Sequence, residues 1–426
     1  MTLRIKRRSQ NEWMTLFILV FSFLFSSFIE ILSFPSAVKY LIDVVWCLLL
    51  VTMVFRKKSR ISYDANIMKF WIIAFFFYCF VNYIVNFQSA FYFLWGVRNN
   101  FRFYIFFLAC IYYLNKRNID EFFSFIDKIF YVHIVFVFVQ YFVFGCKQDF
   151  LGGLFGTEQG CNGGLNIFQV IVVAYSVLRY LNRGSSFWKC LFNCAMCLLI
   201  AAMAELKFFF VEFGIIVILV LFLTKFTWKK LGIILFAGIG LIIGIQILLM
   251  IFPVWKDSMS IKGLLDIASS DKGYTGYNDM NRLTVISMSN DLFLKTPLRQ
   301  LFGLGLGNCD KSEAFSFLVT PFYMRYSQLH YDWMSSAFMY LENGFVGLIF
   351  YIGFFVLSFF AAAKVRMRDK ANIVYLQVTQ VVAVMSVLIV IYNASLRTEF
   401  AYMVYFVLAV PFILQKNSRT LKGGTD

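Results

Sequence analysis

The chain has 426 residues, of which 61% are hydrophobic and only 15% charged, with a formal net charge of +16 and a mean hydropathy of +0.74. A soluble domain of this size needs far more polar surface, and five prolines with few polar stretches argue against disorder. The composition points to one integral membrane domain over residues 1–426, all-α, with an inserted subdomain at 253–334.

Apolar stretches fall at 13–34, 37–55, 67–87, 99–114, 121–144, 163–181, 187–204, 208–224, 231–252, 335–360, 372–392 and 398–414. Several approach the ~20 residues a spanning helix needs, and 99–114 is short for one. Basic clusters alternate with them: Arg4 to Arg8, Arg56 to Arg60, Lys116-Arg117, Arg183, Lys229-Lys230, Lys364 to Lys370 and Lys416 to Lys422. In a soluble protein +16 would suggest nucleic acid. Here the positive-inside rule accounts for it, and no nucleic-acid partner is expected. The rule predicts about twelve transmembrane helices, both termini cytoplasmic, and a large outward loop between helices nine and ten. The opposite topology would put the short basic loops outside. The first apolar run is too long for a signal-peptide core, so no cleavable signal is expected.

Along the chain, Arg98 and Arg102 sit four apart at the outer start of helix four, on one helix face. Two guanidiniums one turn apart can bind a diphosphate by bidentate hydrogen bonds, or contact lipid headgroups. His133 lies mid-span among Phe and Val and reads as a packed residue bonded to a backbone carbonyl. Nine cysteines form no disulfide framework, although Cys146 and Cys161 flank one outward loop and could pair in an oxidising compartment. Lys207 stands at the tip of the tight connection Ala204-Glu-Leu-Lys207, either snorkelling at an interface or facing a polar cavity. Glu205, two positions away, is not automatically its partner.

The segment from Arg282 to Gly347 is the most informative. A helix is expected from Asn278 or Asp279 to about Lys295, ended by Thr296-Pro297. The glycines of Leu301-Phe-Gly-Leu-Gly-Leu-Gly307 then make a tight turn. That string follows no strand and lacks the Lys-Ser/Thr of a phosphate-binding loop, so a nucleotide site is not expected. His330 lies just before the next helix, which opens near Trp333, where an imidazole can take a hydroxyl proton or help bind phosphate. Arg397 occupies the short outward turn Asn393-Ala-Ser-Leu-Arg397 and is a further candidate. The acidic residues of the loop, Asp257, Asp266, Asp271, Asp279, Asp291, Asp310, Glu313 and Asp332, form no tight pair, so a metal-free mechanism without a cofactor is expected. No internal repeat stands out, which weighs against a secondary transporter.

Asn281-Arg282, Pro297, the glycine turn, His330 and Leu341-Glu-Asn-Gly-Phe-Val-Gly347, in this order, resemble the O-antigen polymerase and O-antigen ligase superfamily of bacterial envelope glycosyltransferases. The resemblance covers roughly residues 200–350 and extends to the first half by topology alone. It implies a GT-C-like polytopic fold in the inner membrane with a periplasmic active site. The donor it implies is an undecaprenyl-diphosphate-linked oligosaccharide, with a chain-length regulator as possible partner. Lys207 takes the place of a basic residue, often Arg, in the family's tight outward turn, keeping the charge but losing the guanidinium fork. By this resemblance Lys207 and Arg282 hold the diphosphate, His330 activates or positions the acceptor hydroxyl, and Arg299 and Arg325 add positive charge around the mouth. Size, phenylalanine content and the loop favour the polymerase over the ligase that moves finished polymer to lipid A-core. A lipid-linked oligosaccharide flippase is the alternative from another class, but it needs cations through the bundle rather than at one mouth.

Overall fold

The computed structural model describes residues 8–32, 35–55, 62–256, 263 and 279–422. Arg56 to Arg60, Asp257, Asp266, Asp271 and Asn278 lie outside the described residues. No strand occurs among the described residues, and helix occupies each of the twelve apolar stretches. The long helices are α1 (Gln10–Leu32), α2 (Leu41–Val54), α3 (Tyr63–Val85), α4 (Ala90–Tyr113), α5 (Lys116–Phe142), α6 (Asn162–Leu181), α7 (Phe187–Met203), α8 (Lys207–Leu223) and α9 (Trp228–Ile251). Three short helices follow, α10 (Val285–Leu292), α11 (Pro297–Phe302) and α12 (Pro321–Tyr326), and then α13 (Ser335–Lys364), α14 (Lys370–Tyr392) and α15 (Ala401–Lys422).

Seven apolar helices are long enough to cross a membrane by length and composition: Ala37–Val54, α3, α5, α6, α9, α13 and α14. Three of the other helices fall short for visible reasons. Helices α7 and α8 have 17 residues each, and α4 carries Arg98, Asn99, Asn100 and Arg102 in its first half. Seven such helices mark a membrane protein. Its outer faces agree, because Val44 and Val51 on α2, Phe70, Phe77 and Ile84 on α3, and Ile242 on α9 are all more than half exposed. Apolar side chains so exposed belong against lipid.

Residues 401–414 of α15 are buried on every side, so this helix is the axis of the bundle. Phenylalanine fills the space around it: Phe103 and Phe107 from α4 and Phe122 from α5 pack on Tyr402, Phe412 and Phe406. Edge-to-face and tilted ring pairs of this kind contribute about 0.5–1.5 kcal/mol each beyond burial.

Four of the basic residues stand at the end away from the loop. Arg8 pairs with Glu121, Lys116 with Asp369 and Arg117 with Glu121. Lys416 Nζ donates to the carbonyls of Ile111 (2.9 Å), Tyr112 (3.2 Å) and Leu114 (2.7 Å), closing the C-terminus of α4, where a cation complements the helix dipole. The loop after α9 lies at the opposite end.

That loop builds a small core of its own onto the start of α13, from Met280, Val285, Cys309, Tyr331, Met334, Phe338 and Leu341. Its first helix is shorter than expected. Met280 N donates to Leu329 O, and Arg282 N is taken by the Asn281 side chain, so the chain turns before α10 begins at Val285. Pro297 does not merely end a helix: with Thr296 as N-cap it opens α11, since proline's missing N–H costs nothing in a first turn. One further expectation needs correction. His133 is fully buried, but its Nδ1 accepts from Leu154 N–H (3.3 Å) rather than its ring donating to a carbonyl. The Cys161 thiol donates to Asp149 O (3.3 Å).

Candidate functional site

Helix α13 breaks at Gly344, where φ is 61° and ψ −165°. The break frees the carbonyls of Leu341 and Glu342 from the helical ladder. The glycine turn takes both, through Leu304 N (2.9 Å) and Gly305 N (2.8 Å). Gly303, Gly305 and Gly307 all have positive φ, of 73°, 101° and 87°. Space as well as conformation demands glycine at the contact points. A Cβ on Gly303 would stand 2.6 Å from Asn343 N, one on Gly344 would strike Leu301 O, and one on Gly307 would strike Tyr92 O on α4. Asn82 and Tyr78 of α3 hold the Phe302 carbonyl (2.6 Å) and the Asn343 carbonyl (2.5 Å). Inside the turn the fully buried Glu342 accepts from Cys309 N (3.1 Å), and Tyr331 donates to Cys309 O (2.6 Å). The expected tight turn is thus also a plug, wedged between α3, α4 and the broken α13.

Beneath this plug three candidate arginines meet three carboxylates. Arg98 donates twice to Asp43 on α2 (2.9 and 2.8 Å), and Asn99 bridges to Asp310 (2.6 Å). Arg397 lies 3.8 Å from the same Asp310, over the Phe338 ring. Arg102, 3% exposed, donates to Glu399 (2.8 Å) and to the Arg397 carbonyl (3.3 Å). Arg98 and Arg102 therefore do not present an open pair to a diphosphate. They turn to different carboxylates, because an unpaired cation at this depth is costly.

Glu399 sits in the turn ahead of α15. Burial alone would raise its pKa, but Arg102 and Arg98 outweigh that and hold it down at about 2. A carboxyl depressed in this way adds stability above its ordinary value, and that stability is lost only as pH falls through about 2. Arg102→Met is expected to destabilise the bundle by about 1–3 kcal/mol, because it takes the close partner from a half-buried carboxylate. Adding Glu399→Leu should restore most of the loss. Thermal melts of the single and double variants in detergent check this, and equal melts for the two would refute the coupling.

A second group of cations stands at the same end, on the other side of α14. Glu205 (φ 56°) makes the left-handed turn that joins α7 to α8. Contrary to the caution its spacing invites, it pairs with Lys207 (3.2 Å), and Trp255 Nε1 also donates to it (2.5 Å). The Lys207 ammonium rests on the Trp255 ring. Arg282 donates from Nε to Tyr392 O (2.9 Å) and lies over the Tyr392 ring, 4.3 Å from its centre. Tyr392 in turn stacks on Phe208 at 4.1 Å and 12°. Lys207 and Arg282, 75 positions apart in the chain, are thus linked through Phe208, the residue after Lys207, and Tyr392 beneath Arg282, close enough for their like charges to interact.

His330 approaches from the same strand of contacts. The bond from Met280 N to Leu329 O (2.9 Å) puts Arg282 two residues beyond its donor and His330 one beyond its acceptor. His330 itself is held at φ 53° with its ring stacked on Trp333, centroids 3.8 Å apart. A left-handed residue other than glycine costs about 1–2 kcal/mol, so the surrounding turn holds His330 in place. Arg299 and Arg325 are exposed on α11 and α12. Neither makes an ion pair among the described residues. No group of three or more His, Cys, Asp or Glu suited to a metal occurs among the described residues.

Sequence reasoning missed the partners more than the cations. Asp43, Asp310 and Glu399 carry no local pattern that pairs them with arginines 55, 87 and 297 positions away. Tyr392 and Trp255, which seat Arg282 and Lys207, read only as span ends. No protein-family model matches the chain, and no curated protein matches it.

Proposed function

We propose that the protein is a membrane glycosyltransferase that polymerises polyprenyl-diphosphate-linked oligosaccharide repeat units. In this reading all twelve apolar stretches cross the bacterial inner membrane, both termini are cytoplasmic, and the loop end faces the periplasm. The observation that carries it is that Arg282 is seated on Tyr392, whose ring stacks on Phe208, the residue after Lys207, with His330 one residue from the bond that ties the loop of Arg282. In the transfer, the acceptor hydroxyl oxygen bonds to the anomeric carbon while the bond from that carbon to the diphosphate breaks. Charge then grows on the departing diphosphate, and two cations preorganised in a partly desolvated mouth stabilise it more than they stabilise the substrate. His330 receives or directs the acceptor proton. The arginines already paired with Asp43, Asp310 and Glu399 serve as the floor of the mouth rather than as ligands. No nucleotide sugar, cofactor or metal enters this scheme.

A deletion strain examined for surface polysaccharide tests the reading. Single repeat units on lipid A-core are expected, restored to polymer by the intact gene. Free polymer on the carrier lipid would indicate a ligase instead, and cytoplasmic build-up of lipid-linked units a flippase. Complementation with His330→Ala should lose polymer by about 10²–10⁴-fold in rate, the usual worth of general-base assistance. Polymer from His330→Gln would reduce the residue to positioning the acceptor, and normal polymer from His330→Ala would remove it from the site.

A further inference from the structure

Below the mouth lies a polar cluster that neither the charge networks nor the transfer uses. Glu212 on α8 is 0% exposed, and Asn166 and Gln169 on α6 are 2% and 0% exposed. Glu212 is five residues past Lys207, about 7.5 Å further along the helix. Asn166 Nδ2 reaches Glu212 Oε1 at 3.4 Å, a long bond from a neutral donor. Gln169 sits one turn along the same side of α6. Four atoms of these three side chains have no hydrogen-bond partner among the described residues: Glu212 Oε2, Asn166 Oδ1, and both Oε1 and Nε2 of Gln169. Three are acceptors and one is a donor. No lysine, arginine or histidine forms an ion pair with Glu212 among the described residues.

A carboxylate in this setting is not compensated, since isolated buried charge is among the costliest things a bundle can hold. An excess of acceptors around it calls for something positive. A buried amide against the carboxyl and a second, wholly unpartnered amide one turn along the same helix mark a ligand position, because buried polar groups are as a rule satisfied. We propose that Asn166, Gln169 and Glu212 form a site for a small monovalent cation inside the bundle, occupied by Na⁺ or by a proton on Glu212. Either occupant neutralises the carboxylate; Na⁺ can take both stranded amide oxygens as ligands, whereas a protonated Glu212 can donate to one of them. Hard oxygen ligands of this kind suit both. The site does not depend on the glycan reaction, and its failure would leave that reading untouched.

The test uses the purified full-length protein in a maltoside detergent, melted in NaCl and in choline chloride at equal ionic strength. Its infrared spectrum is recorded over the neutral-carboxyl stretch. Sodium occupancy predicts a Tm that rises with NaCl concentration but not with choline chloride, and a rise that Glu212→Gln abolishes. Proton occupancy predicts no sodium dependence and a neutral-carboxyl band that Glu212→Gln removes. Absence of both a sodium-dependent Tm and a neutral-carboxyl band lost in Glu212→Gln would overturn the proposal. Should Glu212→Gln not fold, Gln169→Leu serves in its place. It is expected to weaken the sodium effect or shift the band, and a Gln169→Leu protein matching the wild type in both would equally overturn it.

Discussion

Arg282→Ala is expected to abolish polymer formation in cells while the protein still inserts and purifies in normal amount. Removing one preorganised donor from a developing anion typically costs about 10²–10³-fold in rate, and Arg282 is the cation seated on Tyr392, whose ring stacks on Phe208 beside Lys207. Arg282→Lys keeps the charge but loses the planar fork that both donates to Tyr392 O and lies over its ring. It should recover only part of the activity. Polymer of normal length and amount from Arg282→Ala would show that the diphosphate role is wrong, provided gel filtration confirms the variant is folded.

The largest effect on folding is expected at Gly307. Its φ of 87° alone penalises alanine by about 1–2 kcal/mol. A Cβ there also collides with the Tyr92 carbonyl, which is fixed in helix α4 and cannot swing aside. Gly145 is the natural control, for it too has positive φ (69°) but no atom within 4 Å of the added Cβ. Gly145→Ala should therefore show the conformational cost alone, and Gly307→Ala a much larger drop in thermal stability and yield. Equal melting temperatures for the two would mean that the plug is looser than its contacts imply.

The helices were legible because each is a long apolar run bounded by basic residues, and that signal needs no tertiary knowledge. Boundaries within the loop were harder. The helix expected from residue 279 starts at Val285 because Met280 is bonded to Leu329, a contact across 49 positions that no local pattern encodes. The cations were visible one by one, yet their division into two groups was not. Arg98 and Arg102 share a helix face in the sequence, but Asp43 and Glu399 draw them to different neighbours. Glu212 was passed over because a single acid in an apolar run has no motif. Only the packing of α6 beside α8 sets the Asn166 amide against it, with Gln169 one turn away on α6.

The break at Gly344 bears on chimeras between this chain and others of similar plan. The carbonyls of Leu341 and Glu342 find their donors in Leu304 and Gly305, so the outer end of α13 is completed by a segment translated before it. Exchanging residues 253–334 alone would leave those carbonyls facing a foreign turn, and a buried carbonyl that loses its donor is costly. A graft that is to fold must therefore carry the donor turn and residues 341–344 together. By the same geometry, the loop is a part of the helix bundle that happens to be written outside it.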